Sequence, residues 1–180
     1  MESNKTNREN SDLNIIKYLW SNSIFSPKDE RNLPYFFKKL DLFKDFSDFE
    51  LFDLINYVHI RNFSAGESIF SENEYGIGFY LVINGVVELS GEKLSRDQSI
   101  KLYPKMYFGE KNLLVDKSKY NVSAKALERT TLAAILSPDL DNMIDKRPRV
   151  AVKLIKILSR LALLRLDEIE KRLSGNQGEK

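Results

Sequence analysis

Tyr107-Phe108-Gly109-Glu110-Lys111-Asn112-Leu113-Leu114 is the most informative run in this chain, and Lys119-Tyr120-Asn121-Val122-Ser123-Ala124-Lys125-Ala126 completes it. An aromatic pair, a glycine and an acid open a short apolar turn. A polar, partly basic linker leads from there into a second apolar strand. Upstream, the apolar period changes at Val58 from helical to alternating. Val58 and Ile60, and with them Phe63, are expected on one side, and His59 and Arg61 on the other. Ser64-Ala65-Gly66-Glu67 reads as a turn, followed by a short strand at Ser68-Ile69-Phe70. After the polar loop 71–78, the run Phe79 to Leu89 reads as two strands joined at Asn84-Gly85, a strong hairpin signal. A polar tip at 91–98 and a return strand at 99–102 follow. Downstream, Thr130 to Leu136 is a closing strand. Short strands at regular spacing with glycine turns predict a β-sandwich, roll or barrel.

Helices flank these strands. Pro34 is placed to open one at Leu33, behind a polar connector over 21–31. Ser47 with Glu50 three residues later forms a capping box. It predicts a helix to Tyr57 whose apolar side is Phe49, Leu51, Phe52, Leu54 and Ile55. Ser137 is placed to cap a helix running from Pro138 to Lys146. A long helix then spans 148–173. Its residues Ile155, Leu158, Ala162, Leu166, Ile169 and Leu173 form a coiled-coil-like seam, widened by Leu154, Ile157, Leu161 and Leu164. That excess predicts two apolar faces, one for the roll and one for a partner. Residues 12–20 can form a short amphipathic helix, which needs a surface to dock on. The polar tail 1–11 is too poor in apolar residues to predict structure.

The ordered pieces resemble the cyclic nucleotide-binding domain family, in the form of the catabolite activator sensor domain. They are the Ser64–Phe70 turn and strand, Gly76, the run Phe79–Leu89 and Phe108-Gly109-Glu110, set in a likeness that covers about Leu33 to Leu173. The resemblance implies a mainly β fold with helices: a jelly-roll-like double-stranded β-helix between N-terminal helices and a long C-terminal helix. The divisions expected are a tail (1–11), a helix and connector (12–32), the roll (33–147), the long helix (148–173) and a second tail (174–180). It also implies a phosphate-binding cassette and a cyclic nucleotide as the ligand class, with no other cofactor.

Carried over residue by residue, Gly109 matches the backbone donor to the cyclic phosphate and Glu110 the acceptor for the ribose hydroxyl. Ser123 matches the hydroxyl donor. The family's arginine, which forks onto the phosphate, is missing. Alignment from Ser123 places Tyr120 there, and alignment from Gly109-Glu110 places Lys119. Asn121 sits between them and Ser123. Losing a charged hydrogen bond of this kind costs roughly 1.5–3 kcal/mol. Lys111 and Asn112 replace apolar and small residues, and Lys105 replaces a glycine, so the cassette turn is expected to pack poorly. Arg165 falls near the family's base-capping position, where it could stack on a purine.

Composition narrows the alternatives. The chain has 180 residues, 42% hydrophobic and 30% charged, enough for one domain with a helical appendage. With 28 basic and 26 acidic side chains, no global attraction to nucleic acid follows. There is no cysteine, which removes disulfides and thiolate chemistry and suits a reducing cytoplasm. His59 is the single histidine, so a multi-histidine metal site is excluded. No carboxylate pair at recognisable spacing supports acid–base catalysis, and an enzyme is not expected. No run reaches the roughly 18 apolar residues of a membrane span. Only a short polar tail follows the long helix, so no helix-turn-helix DNA-binding domain is expected. Three readings stay open. One is a stand-alone regulatory module acting through 148–173 as a homodimer or on a protein partner. Another is a nucleotide sensor that uses Lys119. The third is an interaction adapter whose pocket is filled by its own side chains, such as Tyr120.

Overall fold

The computed structural model describes residues 27–92 and 99–175. The helix expected over 12–20 and most of the tip at 91–98 lie outside the described residues. Eight strands are described: β1 His59–Phe63, β2 Ser68–Phe70, β3 Gly78–Asn84, β4 Val87–Ser90, β5 Ile100–Leu102, β6 Tyr107–Phe108, β7 Ser123–Ala126 and β8 Thr130–Leu136. They form two antiparallel four-stranded sheets, ordered β1-β8-β3-β6 and β2-β7-β4-β5. The helices are α1 Pro27–Lys38, α2 Asp48–Ile55, α3 Glu110–Leu114, α4 Ser137–Lys146 and α5 Pro148–Gly175, with a 3-10 turn at Asp41–Phe43. This is the mainly β roll with flanking helices that the resemblance implies.

The first sheet is covered on both faces. Ile60, Phe79, Leu81, Ala133 and Ile135 point to the helices, among Phe37, Phe43, Leu54, Leu154 and Leu158. Tyr80, Val82, Leu132, Ala134 and Leu136 point into the roll, toward Phe70, Val87 and Ala124 of the second sheet. Period-2 alternation therefore sends every residue of β3 from Phe79 to Val82 into one core or the other. That is why β3 reads as an unbroken apolar run in place of an amphipathic one.

Phe63 points into the roll, on the opposite face from Ile60 and not on its side, because residues an odd number of positions apart on a strand face opposite ways. Four further expectations need correction. The Asn84-Gly85 turn does not close a hairpin: β3 pairs with β6 and β8, whereas β4 pairs with β5 and β7. It carries the chain from one sheet to the other. Gly85 has φ +87°, and a Cβ there would lie 2.6 Å from the Arg129 carbonyl. The turn is thus chosen by its fit against β8, and local propensity alone could not show that. Secondly, the first helix begins at Pro27, so Pro34 lies inside it. An interior proline costs roughly 3 kcal/mol; burial of Leu33 and Phe37 offsets it.

Thirdly, the capping box at Ser47 and Glu50 forms as read, but α2 ends at Ile55 and only Leu51 and Leu54 are buried. Phe49 is 86% exposed and Phe52 61%. An eight-residue helix lying flat on a core can bury one narrow stripe only. Finally, Ser137 is the first residue of α4 and not its cap. Its Oγ donates to the Ile77 carbonyl at 3.2 Å, and the Asp139 carboxylate accepts the Leu136 N–H at 3.3 Å. Asp139 is buried and its other contact is His59 Nε2, at 2.8 Å.

The long helix runs from Pro148 as expected. Its buried stripe is Val150, Ala151, Leu154, Ile157, Leu158 and Leu161. Val152, Leu163 and Leu166 are exposed, and so is Ala162. The two apolar faces read from the sequence are both present, although of the expected seam only Leu158 is buried and Ile155 half-buried. The side chains of Ile169 and Leu173 lie outside the described residues. No helix among the described residues is long and apolar enough to cross a membrane.

Candidate functional site: a cassette closed on itself

β6 delivers the chain to Gly109, which adopts φ +83° ahead of α3. A Cβ at Gly109 would collide with the Gly78 carbonyl of β3. Glycine is required here because two backbones touch. The Gly109 carbonyl accepts from Asn112 N–H at 3.0 Å and Leu113 N–H at 3.3 Å, starting the short helix.

Glu110, the first residue of α3, is 5% exposed. Its Oε1 accepts from Arg165 Nη1 of α5. Arg165 also donates to the Tyr107 carbonyl at 3.4 Å and lies 5.5 Å from the centre of the Tyr107 ring. Two residues read separately from the sequence as ribose acceptor and base cap are thus brought onto each other. The second oxygen, Oε2, is buried with no hydrogen-bond partner among the described residues. An unsatisfied buried acceptor is costly, so the ion pair is what keeps this carboxylate in place.

Tyr120 lies inside the roll and is 4% exposed. Its ring stacks on Phe70, centroids 3.5 Å apart and planes 6° from parallel. Its hydroxyl is 3.2 Å from the Tyr80 hydroxyl and accepts the Ile77 N–H at 3.4 Å. Phe108 stacks on Tyr80 at 5.0 Å and lies 5.9 Å from Phe70, so four rings fill the interior behind the cassette. Burial raises the pKa of both Tyr80 and Tyr120 above the ordinary phenol value, because an anion there would be desolvated.

Lys119, by contrast, is exposed, its amine 5.4 Å from the Tyr75 ring. Asn121 is exposed too and serves as a hydrogen-bond acceptor for Lys111. Ser123 Oγ accepts the Glu72 N–H at 2.9 Å, and Glu72 Oε2 accepts the Glu92 N–H at 3.1 Å. Ser123 Oγ thus helps, as an acceptor, to hold the 72–92 loops together, and its O–H keeps its donor capacity.

Lys111 and Asn112 do the opposite of what their polarity suggests. Lys111 Nζ donates to the Lys119 carbonyl at 3.0 Å and to Asn121 Oδ1 at 3.3 Å. Asn112 is buried against Gly76 and donates to Ser118 Oγ at 2.8 Å. Both tie α3 to the following linker, so the cassette turn is stapled where poor packing was expected. Sequence reading missed this because each side-chain nitrogen's partner lies six to ten residues away, across a linker whose path was unknown. It also missed Tyr80, although the alternation Phe79, Tyr80, Leu81 already puts that phenol on the interior side.

Lys105, where a glycine is usual, adopts φ +77°. A non-glycine residue there is strained by about 1–2 kcal/mol. Among the described residues no group of three or more His, Asp or Glu side chains is placed to hold a metal ion.

A β-roll with a glycine–glutamate turn, and a long helix reaching back to the glutamate, defines a class of domain. Comparison with known proteins says which. Residues 60–147 match the model of the cyclic nucleotide-binding domain. The cyclic AMP receptor protein of Thermus thermophilus is 33% identical over 108 residues, 59% of this chain and 50% of its own. The crystal structure of the Thermus thermophilus catabolite activator protein superposes with a TM-score of 0.60 at 32% identity, over 74% of this chain and 62% of that one. A cyclic nucleotide-binding domain from Methylobacillus flagellatus shares the fold, with a TM-score of 0.68 at 20% identity over 83% of this chain and 84% of that one. The chain therefore carries a cyclic nucleotide-binding domain, and residues 60–147 belong to that family. It spans half the length of the Thermus receptor protein.

No arginine stands between α3 and β7, Tyr120 fills the interior beside Phe70, and Glu110 accepts from Arg165.

Proposed function

We propose that this chain is a regulatory module of the cyclic nucleotide-binding fold that acts as a protein-interaction adapter, its nucleotide pocket filled by its own Tyr120. The observation that carries the reading is the buried Tyr120 ring, stacked on Phe70 and hydrogen-bonded to Tyr80, at one of the two positions that alignment gives the family's phosphate-binding arginine. The commitment of Glu110 to Arg165 supports it. The sensor reading, in which Lys119 replaces the arginine, draws less support, because Lys119 is exposed and close to Tyr75. The exposed apolar residues Val152, Ala162, Leu163 and Leu166 on α5 fit homodimerisation or a protein partner. The cysteine-free composition fits action in a reducing cytoplasm.

Isothermal titration and thermal unfolding with cyclic AMP, cyclic GMP and cyclic dinucleotides test the proposal. No heat and no rise in melting temperature are expected up to millimolar ligand. Saturable binding of any of the three at micromolar concentration would falsify it and restore the sensor reading.

A further inference from the structure

Segment 39–46 and the middle of α5 enclose a surface outside the roll. Two adjoining clefts of about 630 and 240 Å3 meet there, and Arg160 lines both. Their floor is apolar: Leu40, Phe46, Ile157 and Leu161 are buried at it, and Leu164 is 53% exposed. Their rim is basic. Lys44, Lys105, Lys156 and Arg160 are all exposed, and among the described residues none of these four has an ion-pair partner. The other two lysines are spent elsewhere, Lys39 over the Tyr35 ring at 3.9 Å and Lys153 on Glu50 at 2.7 Å. Asp41 and Asp45 are the carboxylates of the lining. Four unengaged cations against two acids, around a half-exposed leucine, form a surface that attracts one sign of charge and gains by covering hydrocarbon.

We propose that this groove binds an acidic amphipathic segment of a partner protein. The segment's carboxylates meet Lys44, Lys105, Lys156 and Arg160, and its apolar side chains cover Leu164 and the edge of Leu161. From Lys156 to Leu164 the helix rises about 12 Å, which matches about two turns of a bound helix. A free inorganic anion would leave the apolar floor uncovered. The strained backbone of Lys105 falls at this rim, and strain of that kind concentrates at binding sites. Leu166 of the exposed α5 stripe lies about 120° around the helix from Arg160 and Leu163 about 60° from it, so the stripe adjoins the groove along one edge. The groove lies outside the roll interior and meets the cassette at Tyr107, which lines it and carries the Arg165 contact.

The test uses the full chain and a fluorescein-labelled peptide of about twelve residues, with glutamates on one helical face and leucines on the other. Anisotropy should show saturable binding at low salt that weakens as salt rises. The matched peptide with Gln for Glu should bind about tenfold more weakly, and so should K44E/R160E against the original peptide, with an unchanged melting temperature. K44R/R160K should bind as the natural protein does. K105E/K156E gives an independent reading if the first pair perturbs folding. Equal binding of the Glu and Gln peptides, insensitivity to either charge reversal, or capture by phosphatidylglycerol vesicles without peptide binding would each overturn the proposal.

Discussion

The two hydrophobic clusters share one sheet but are built on different principles. On the helix side, the buried members are Leu, Ile, Val, Ala, Met and Phe, with no side-chain oxygen or nitrogen among them. Inside the roll, Tyr80 and Tyr120 bring two hydroxyls into the dark and satisfy them largely on each other. A hydrocarbon core is held by area and shape alone. A core with buried hydroxyls is held also by polar matching, and it tolerates substitution only where that matching survives. The first cluster joins the helices to the roll; the second fills the roll's interior.

Truncation should separate the two most sharply. Phe43 is fully buried between Phe37 and Phe46, so Phe43→Ala should cost roughly 3–5 kcal/mol in urea unfolding. Tyr120→Ala should cost less, roughly 2–3 kcal/mol, because the cavity it leaves is lined by the Tyr80 hydroxyl and the Ile77 N–H and can take up water. Equal losses would break the distinction.

A smaller effect isolates the hydroxyl pair. Tyr120→Phe keeps the ring on Phe70 and should cost about 1 kcal/mol. The same pair sets the alkaline limit. Both phenols are raised by burial, so the folded state favours their neutral forms. Their contribution is complete below the ordinary phenol pKa of about 10 and is lost as pH rises through the folded values. Absorbance at 295 nm during a pH titration should show tyrosines that ionise only on unfolding. Ionisation of every tyrosine near pH 10 in the folded protein would contradict the buried pair.

At the rim, Lys105→Gly should relieve the left-handed backbone and stabilise by up to about 1 kcal/mol, less than the full strain because glycine also loosens the unfolded chain. The smallest effect belongs to the surface pair behind the helix-side core. Lys153 donates to Glu50 at 2.7 Å and lowers its pKa from 4.5 to about 2, with the Ser47 N–H assisting. This contribution is present above the ordinary value and disappears as pH falls toward 2. At this partly exposed site it is worth less than about 1 kcal/mol. Lys153→Met should therefore lower stability slightly at neutral pH, and its deficit should vanish in acid.

The sequence by itself determined the fold and most of its elements. Alternation from β1 onward, the Ser47–Glu50 box, the strand at 130–136 and the helix from Pro148 are local signals, and each concerns residues a few positions apart. Tertiary structure decided what the elements do to one another. It sent Asn84-Gly85 between sheets, because Gly85 must lie against Arg129 and Thr130, more than forty residues on. It set Arg165 on Glu110 across 55 residues of chain and folded Tyr120 onto Phe70. Aromatic, glycine, acid and hydroxyl in order identify a cassette, since backbone geometry is written in short-range residue types. Whether that cassette faces a ligand or its own side chains depends on which groups meet in three dimensions, and each candidate partner lies far away in sequence.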